Sequence, residues 1–174
     1  SEHHKGPGLS WAKVRKALAP VLEDSQISKY GQNIKYDLTV LKRHGVELAG
    51  IAFDTMIASY LINPLKLNHN LDDITFEYLG VKKIDIESLI GSGKNEISMD
   101  EVALERISEY ACEDADCVFR LVGPLKKLLE VHQLPELFET LEMPLLTVLA
   151  QIEFNGVAID CKLLGELSRE LGRD

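Results

Sequence analysis

Two polar pairs spaced four residues apart, Asn33-x-x-x-Asp37 and Tyr110-x-x-x-Asp114, are the places where this sequence could do chemistry. Residues four apart stand one above the other on a helix, so each motif predicts a polar pair on one face of one turn. Aspartates brought together from distant segments suit a hard divalent cation, since Mg²⁺ takes oxygen ligands and keeps several waters. The chemistry implied is metal-assisted hydrolysis of a phosphodiester. Blander readings compete. Asp37 near a helix start stabilises the macrodipole, and Asp114 with Asp116 in an acidic run forms a solvated face. Spacing alone leaves the choice open for Asp37. For Asp114, a tyrosine one turn earlier favours a site, and Asp116 is read as structural.

The elements that must position these residues follow from caps and breakers. Ser10 caps a helix from Trp11 to about Leu22, with Pro20 an irregularity late in it. A short strand over 28–32 feeds a helix over 34–44 that Gly45 stops. A second buried strand over 50–54 leads into a helix from Thr55 to Ile62, ended by Asn63-Pro64. Asn70 caps a helix from Leu71 to Leu79, closed by Gly80. Residues 81–96 read as irregular, with one turn near 86–89. The capping box Ser98-x-x-Glu101 opens a long helical region through Tyr110 and Asp114 to about Val131, interrupted near Gly123-Pro124.

From Pro135 the spacing of Leu137, Leu141, Leu145, Leu149 and Ile152 is helical and ends at Asn155-Gly156. Another helix follows Val157-Ala158-Ile159-Asp160. A boundary is placed near 132–136, giving units 1–134 and 135–174. Strand–helix–strand–helix order over 28–62 predicts an α/β unit. Two strands make a marginal sheet, so further strands are expected upstream of a chain that lacks an initiator methionine.

A chain of 174 residues, 45% hydrophobic and 27% charged, is globular and long enough to bury a core. No apolar run approaches the roughly 18 residues of a membrane span. Cys112, Cys117 and Cys161 show neither zinc nor disulfide spacing, which predicts a reduced, cytoplasmic setting. Cys112 and Cys117 should point to different sides of one helix. A formal charge of −9 argues against phosphate binding through Lys and Arg. A nuclease that reaches phosphate through metal ions needs acidic residues at its centre, so charge leaves the partner open.

Five segments in order now resemble one family: Gly31-Gln32-Asn33-Ile34-Lys35-Tyr36-Asp37, Gly50-Ile51-Ala52-Phe53-Asp54-Thr55-Met56, His69-Asn70-Leu71-Asp72, Tyr110-Ala111-Cys112-Glu113-Asp114-Ala115-Asp116, and Glu142-Met143-Pro144-Leu145 with Ile152–Asp160. They are similar to the 3′–5′ proofreading exonuclease domain of bacterial family A DNA polymerases, of the DEDDy subgroup, followed by the entry into the polymerase thumb. The resemblance implies an incomplete ribonuclease H-like α/β fold over 1–134 and polymerase entry helices over 135–174.

It also implies two Mg²⁺ or Mn²⁺ ions in the parent protein, with Asp114 and Asp37 among their ligands. Tyr110 would orient the attacking water, Gln32 and Asn33 would contact the terminal nucleotides, and Ile86 would lie against the frayed 3′ end. The implied partners are the 3′ end of single-stranded DNA and the rest of a polymerase chain, with no membrane. The family's first motif, Asp-x-Glu, should precede Trp11 and is absent. Asp85-Ile86-Glu87 has the letters but the wrong order. The chain alone is therefore expected to hold metal weakly and to lack nuclease activity. The unpaired edge of the strand over 28–32 could recruit a second copy. Two rivals remain: an RNA-trimming exonuclease of the RNase D type, in which the segment from Glu142 is not expected, and a non-catalytic structural module.

Overall fold

The computed structural model describes residues 8–93 and 96–172. Two short parallel strands, β1 (Lys29–Gly31) and β2 (Ile51–Asp54), flank helix α2 (Ile34–Arg43), forming the βαβ unit expected from the sequence. Tyr30 pairs with Phe53 and Gly31 with Asp54, with an irregularity between Lys29 and Tyr30. Parallel strands need a helical crossover, and α2 supplies it. Gly50 makes the entry into β2 possible. Its φ is +70°, and a Cβ there would lie 2.4 Å from the Ile27 carbonyl oxygen, so only glycine fits.

Helix α1 (Trp11–Leu22) precedes the unit, capped by Ser10 as expected. Trp11 is half-exposed; its indole N–H donates to the His44 carbonyl at 3.3 Å, tying α1 to the end of α2. After β2 come α3 (Thr55–Ile62), α4 (Leu71–Leu79) and the single turn α5 (Glu87–Ile90). Asn70 caps α4 through the Asp73 N–H, and Gly80 ends it in the left-handed region.

Three local expectations are corrected. The box formed by Ser98 and Glu101 closes only a 3₁₀ turn, Met99–Glu101; the long helix α6 (Leu104–Val131) starts later, after extended Val102. Nor is α6 interrupted at Gly123-Pro124, because Leu121 and Leu125 are fully buried and Leu129 nearly so. Burying a leucine is worth roughly 1.5–3 kcal/mol, so three outweigh a cost of about 3 kcal/mol for an internal proline. Third, Asn33 is not on the same helical face as Asp37. It sits before α2 with φ 55° and ψ 46°, a left-handed residue that turns the chain from β1 into the helix.

The core gathers Phe53, Ala58, Ile74, Leu121, Leu125, Leu129 and Phe138, so α3, α4 and α6 close over one face of the strand pair. Phe138 enters from the segment after α6: α7 (Pro135–Leu137) and a π turn (Phe138–Glu142) bring its ring 4.9 Å from that of Phe53, centroid to centroid. Helix α8 (Met143–Asn155) lies along α2, with Lys35 paired to Glu153 and Lys42 donating to Gln151 at 2.6 Å. Pro144 does not break α8 but sits in its first turn, where it loses no hydrogen bond. Helix α9 (Cys161–Leu171), capped by Asp160, leaves Leu163, Leu164, Leu167 and Leu171 exposed. No helix among the described residues is long and apolar enough to cross a membrane.

Candidate active site

Tyr110 and Asp114 stand one turn apart on α6, as their spacing predicted, and Asp37 lies in the first turn of α2. Both aspartates line one groove of about 690 Å³, whose walls include the β1 residues Tyr30 and Gly31 and the α6 residue Phe119. The Tyr30 and Phe119 rings lie 6.1 Å apart. Gly31 leaves room for Ile34 at the strand exit, since a Cβ there would come 2.9 Å from the tip of the Ile34 side chain.

Burial, and after it the charge of Asp54, raises the Asp37 carboxyl above its ordinary value. Burial and then the Asp114 charge likewise raise the Tyr110 hydroxyl above 10. That phenol keeps its proton at neutral pH, so it donates and orients rather than acting as a base.

Gln32 borders this groove and also a neighbouring pocket of about 650 Å³ that holds Asn33, Tyr60 and His69. Its amide is already engaged on both sides. The Nε2 donates to the His69 carbonyl at 2.7 Å, and the Oε1 accepts from the Thr55 hydroxyl. Gln32 therefore fixes the two segments that meet at this corner. His69 packs edge-on to Tyr60 and pairs with the Ser59 hydroxyl at 2.9 Å. Ile86 stands apart from the residues lining the groove. It is part-exposed at the start of α5, on a segment tied to α6 by the Ile84 N–H donating to Glu113 at 2.7 Å.

Two residues that sequence reasoning left without a role organise the site. Asp54 is fully buried at the end of β2 and divides its carboxylate between two helices. Its Oδ1 accepts from the N–H groups of Met56 and Ile57, capping α3, and its Oδ2 accepts from Ile34 at 2.7 Å, holding the start of the helix that carries Asp37. An aspartate between a strand and a helix does signal a cap in the sequence; its reach across to α2 has no local signal. Lys83 is the second. Its side chain is 1% exposed, and its ammonium pairs with Asp114 and sits 2.8 Å from Asp72 on α4. The same nitrogen lies 5.2 Å from the centre of the Tyr110 ring. Nothing in Lys82-Lys83 tells which lysine is buried.

A family model described as a 3′–5′ exonuclease matches residues 8–130. The chain belongs to the 3′–5′ exonuclease family. Relatives of this chain are long polypeptides: DNA polymerase I of Pseudomonas aeruginosa is 41% identical over 162 residues, covering 91% of this chain and 18% of that protein. DNA polymerase I of Rhizobium leguminosarum is 39% identical, covering 90% and 15%, and that of a Synechocystis strain 34% identical, covering 99% and 17%.

The chain thus spans less than a fifth of the length of these relatives. Among solved structures, Brucella melitensis NrnC is 26% identical with a TM-score of 0.67, over 80% of this chain and 64% of that one. The polymerase domain of Pol1 from M. smegmatis, in complex with DNA primer-template and dNTP, shares the fold. Its TM-score is 0.76 over 95% of this chain and 25% of that chain, at 24% identity.

The exonuclease resemblance implies divalent ions, and the described residues do not complete a centre for them. No group of three or more His, Cys, Asp or Glu among those residues could hold a metal. Asp37 and Asp114 share a groove, but the buried Oδ1 of Asp114 faces an ammonium group.

Proposed function

We propose that this chain is the 3′-end-processing part of a DNA polymerase I whose full polypeptide removes mismatched nucleotides from DNA 3′ ends and extends DNA. The observation that supports the reading is that Asp114 from α6 and Asp37 from α2 line one groove, with Tyr110 one turn before Asp114 on α6. Asp37 and Asp114 are the carboxylates assigned to Mg²⁺ or Mn²⁺ in the whole protein, and Tyr110 orients the attacking water by donating its hydroxyl proton. Gln32, Asn33 and Ile86 are assigned to the terminal nucleotides, the apolar Ile86 at a frayed base. Residues 135–174 are the entry into the polymerase domain, docked through α8 on α2. The 174-residue chain alone, among whose described residues no group of three or more His, Cys, Asp or Glu could hold a metal, is read as catalytically silent.

The test uses the full-length gene product and its Asp114→Asn and Tyr110→Phe variants. Nucleotide release from a labelled single strand should fall by orders of magnitude in Asp114→Asn and by roughly 10²–10⁴ in Tyr110→Phe, the range for a positioned proton-transfer group. Primer extension should be unchanged. Full release by Asp114→Asn would overturn the assignment. An RNA strand run alongside decides the substrate: preference for RNA would replace the DNA reading with an RNA-trimming one. Silence of the unaltered full-length protein would make this a structural module.

A further inference from the structure

The Asp114 carboxylate is not waiting free in its groove. Lys83 reaches it from the segment between α4 and α5, and the lysine is the one member of the cluster sealed from water. Its side chain is 1% exposed, against 32% for Asp114 and 49% for Asp72. Its Nζ pairs with Asp114 Oδ1 and lies 2.8 Å from Asp72 Oδ1. It sits between two carboxylates drawn from α4 and α6, under the Tyr110 ring, where a cation gains further from the ring face.

We infer that the Lys83 ammonium is a resident counter-ion of Asp114, and that a divalent cation can be held there only when Lys83 withdraws. This rests on the reading of Asp114 as a cation ligand. The physical argument is competition. An ammonium already touching Asp114 Oδ1 both occupies a ligand position and repels a second cation at contact range, with little water to screen it. The buried pair is also costly to break from one side. Lys83 is thus a positioning residue: it fixes Asp114 and Tyr110 in a metal-free arrangement and opposes loading of the site.

The experiment measures Mn²⁺ binding to the 174-residue chain by electron paramagnetic resonance, in the unaltered protein, Lys83→Met, and Lys83→Met/Asp114→Asn. Methionine keeps an unbranched apolar stem of four heavy atoms while removing the charged nitrogen. The expected result is Mn²⁺ binding at least about tenfold tighter in Lys83→Met, lost again in the double variant. Equal affinity in the unaltered protein and Lys83→Met, abolished by Asp114→Asn in both, would overturn the role of Lys83 and leave Asp114 a ligand. A site gained in Lys83→Met but indifferent to Asp114→Asn, or no site in either, would overturn both.

A second measurement needs no variant. Amine acylation of the unaltered chain, read by peptide mass, should label Lys83 far more slowly than exposed Lys82, and saturating Mn²⁺ should speed labelling of Lys83 several-fold. Labelling of Lys83 that ignores Mn²⁺ at concentrations where Mn²⁺ is bound through Asp114 would refute the withdrawal.

Discussion

Replacing Asp54 should loosen the helix that carries Asp37 without touching the groove. In Asp54→Ala three backbone N–H groups lose their acceptor: Met56 at 2.8 Å, Ile57 at 3.1 Å and Ile34 at 2.7 Å. Losing an aspartate cap costs about 1–2 kcal/mol. Leaving the Ile34 N–H unpaired at a residue that is 3% exposed adds about 1–3 kcal/mol. The sum, about 2–5 kcal/mol, is a large part of the stability of a domain this size. Asp54→Asn keeps one oxygen but turns an N–H₂ toward one of its two sets of donors, and should lose about 1.5–3 kcal/mol.

Urea unfolding followed by circular dichroism at pH 7 gives both values. A loss below about 1 kcal/mol for Asp54→Ala would refute the reasoning, because it would mean the three donors find other partners.

The same carboxylate gives a pH dependence with a definite sign. Burial raises the Asp54 carboxyl above 3.8 and outweighs its hydrogen bonds from backbone N–H groups, which lower it. The folded chain therefore binds this proton more tightly than the unfolded chain. Its contribution to stability is fully present below pH 3.8 and is lost as pH rises through the raised folded value. The difference in stability between the unaltered protein and Asp54→Asn should change across that window and be flat above it; a flat difference throughout would exclude the shift. Gly50→Ala should destabilise by about 2 kcal/mol or more, from a positive φ and a Cβ 2.4 Å from the Ile27 carbonyl oxygen, again by urea midpoint. In contrast, Lys35→Ala should cost no more than about 1 kcal/mol, since the pair with Glu153 is 31% and 51% exposed and screened by water. A larger loss would mean that α8 depends on this pair to stay on α2.

Local chemistry carried much of the architecture. The caps Ser10, Asn70 and Asp160 and the terminator Gly80 act through hydrogen bonds or dihedrals spanning three or four residues, so their meaning is written in short stretches of sequence. The Tyr110–Asp114 turn was legible for the same reason: a helical period is a local property. Where local and distant forces conflict, the local reading failed. Pro124 marks a break by its own geometry, yet α6 runs through it because Leu121 and Leu125 are packed against residues far away in the chain. The box at Ser98 and Glu101 is present, but it closes a turn of its own and does not start the helix beyond it.

What the sequence by itself determined is the local elements and the order in which they carry the candidate residues: a strand, Gln32 and Asn33, a helix with Asp37, and a later helix with Tyr110 and Asp114. Tertiary structure decided what those residues face. Asp54 serves α2 as well as α3 because parallel pairing sets Gly31 beside Asp54, a contact across 23 residues of chain. Lys83 rather than its neighbour Lys82 turns inward because α4 and α6 present Asp72 and Asp114 to the same spot. A buried charge is stable only where its partners converge, and convergence from separate helices is a property of packing that no single stretch of chain contains.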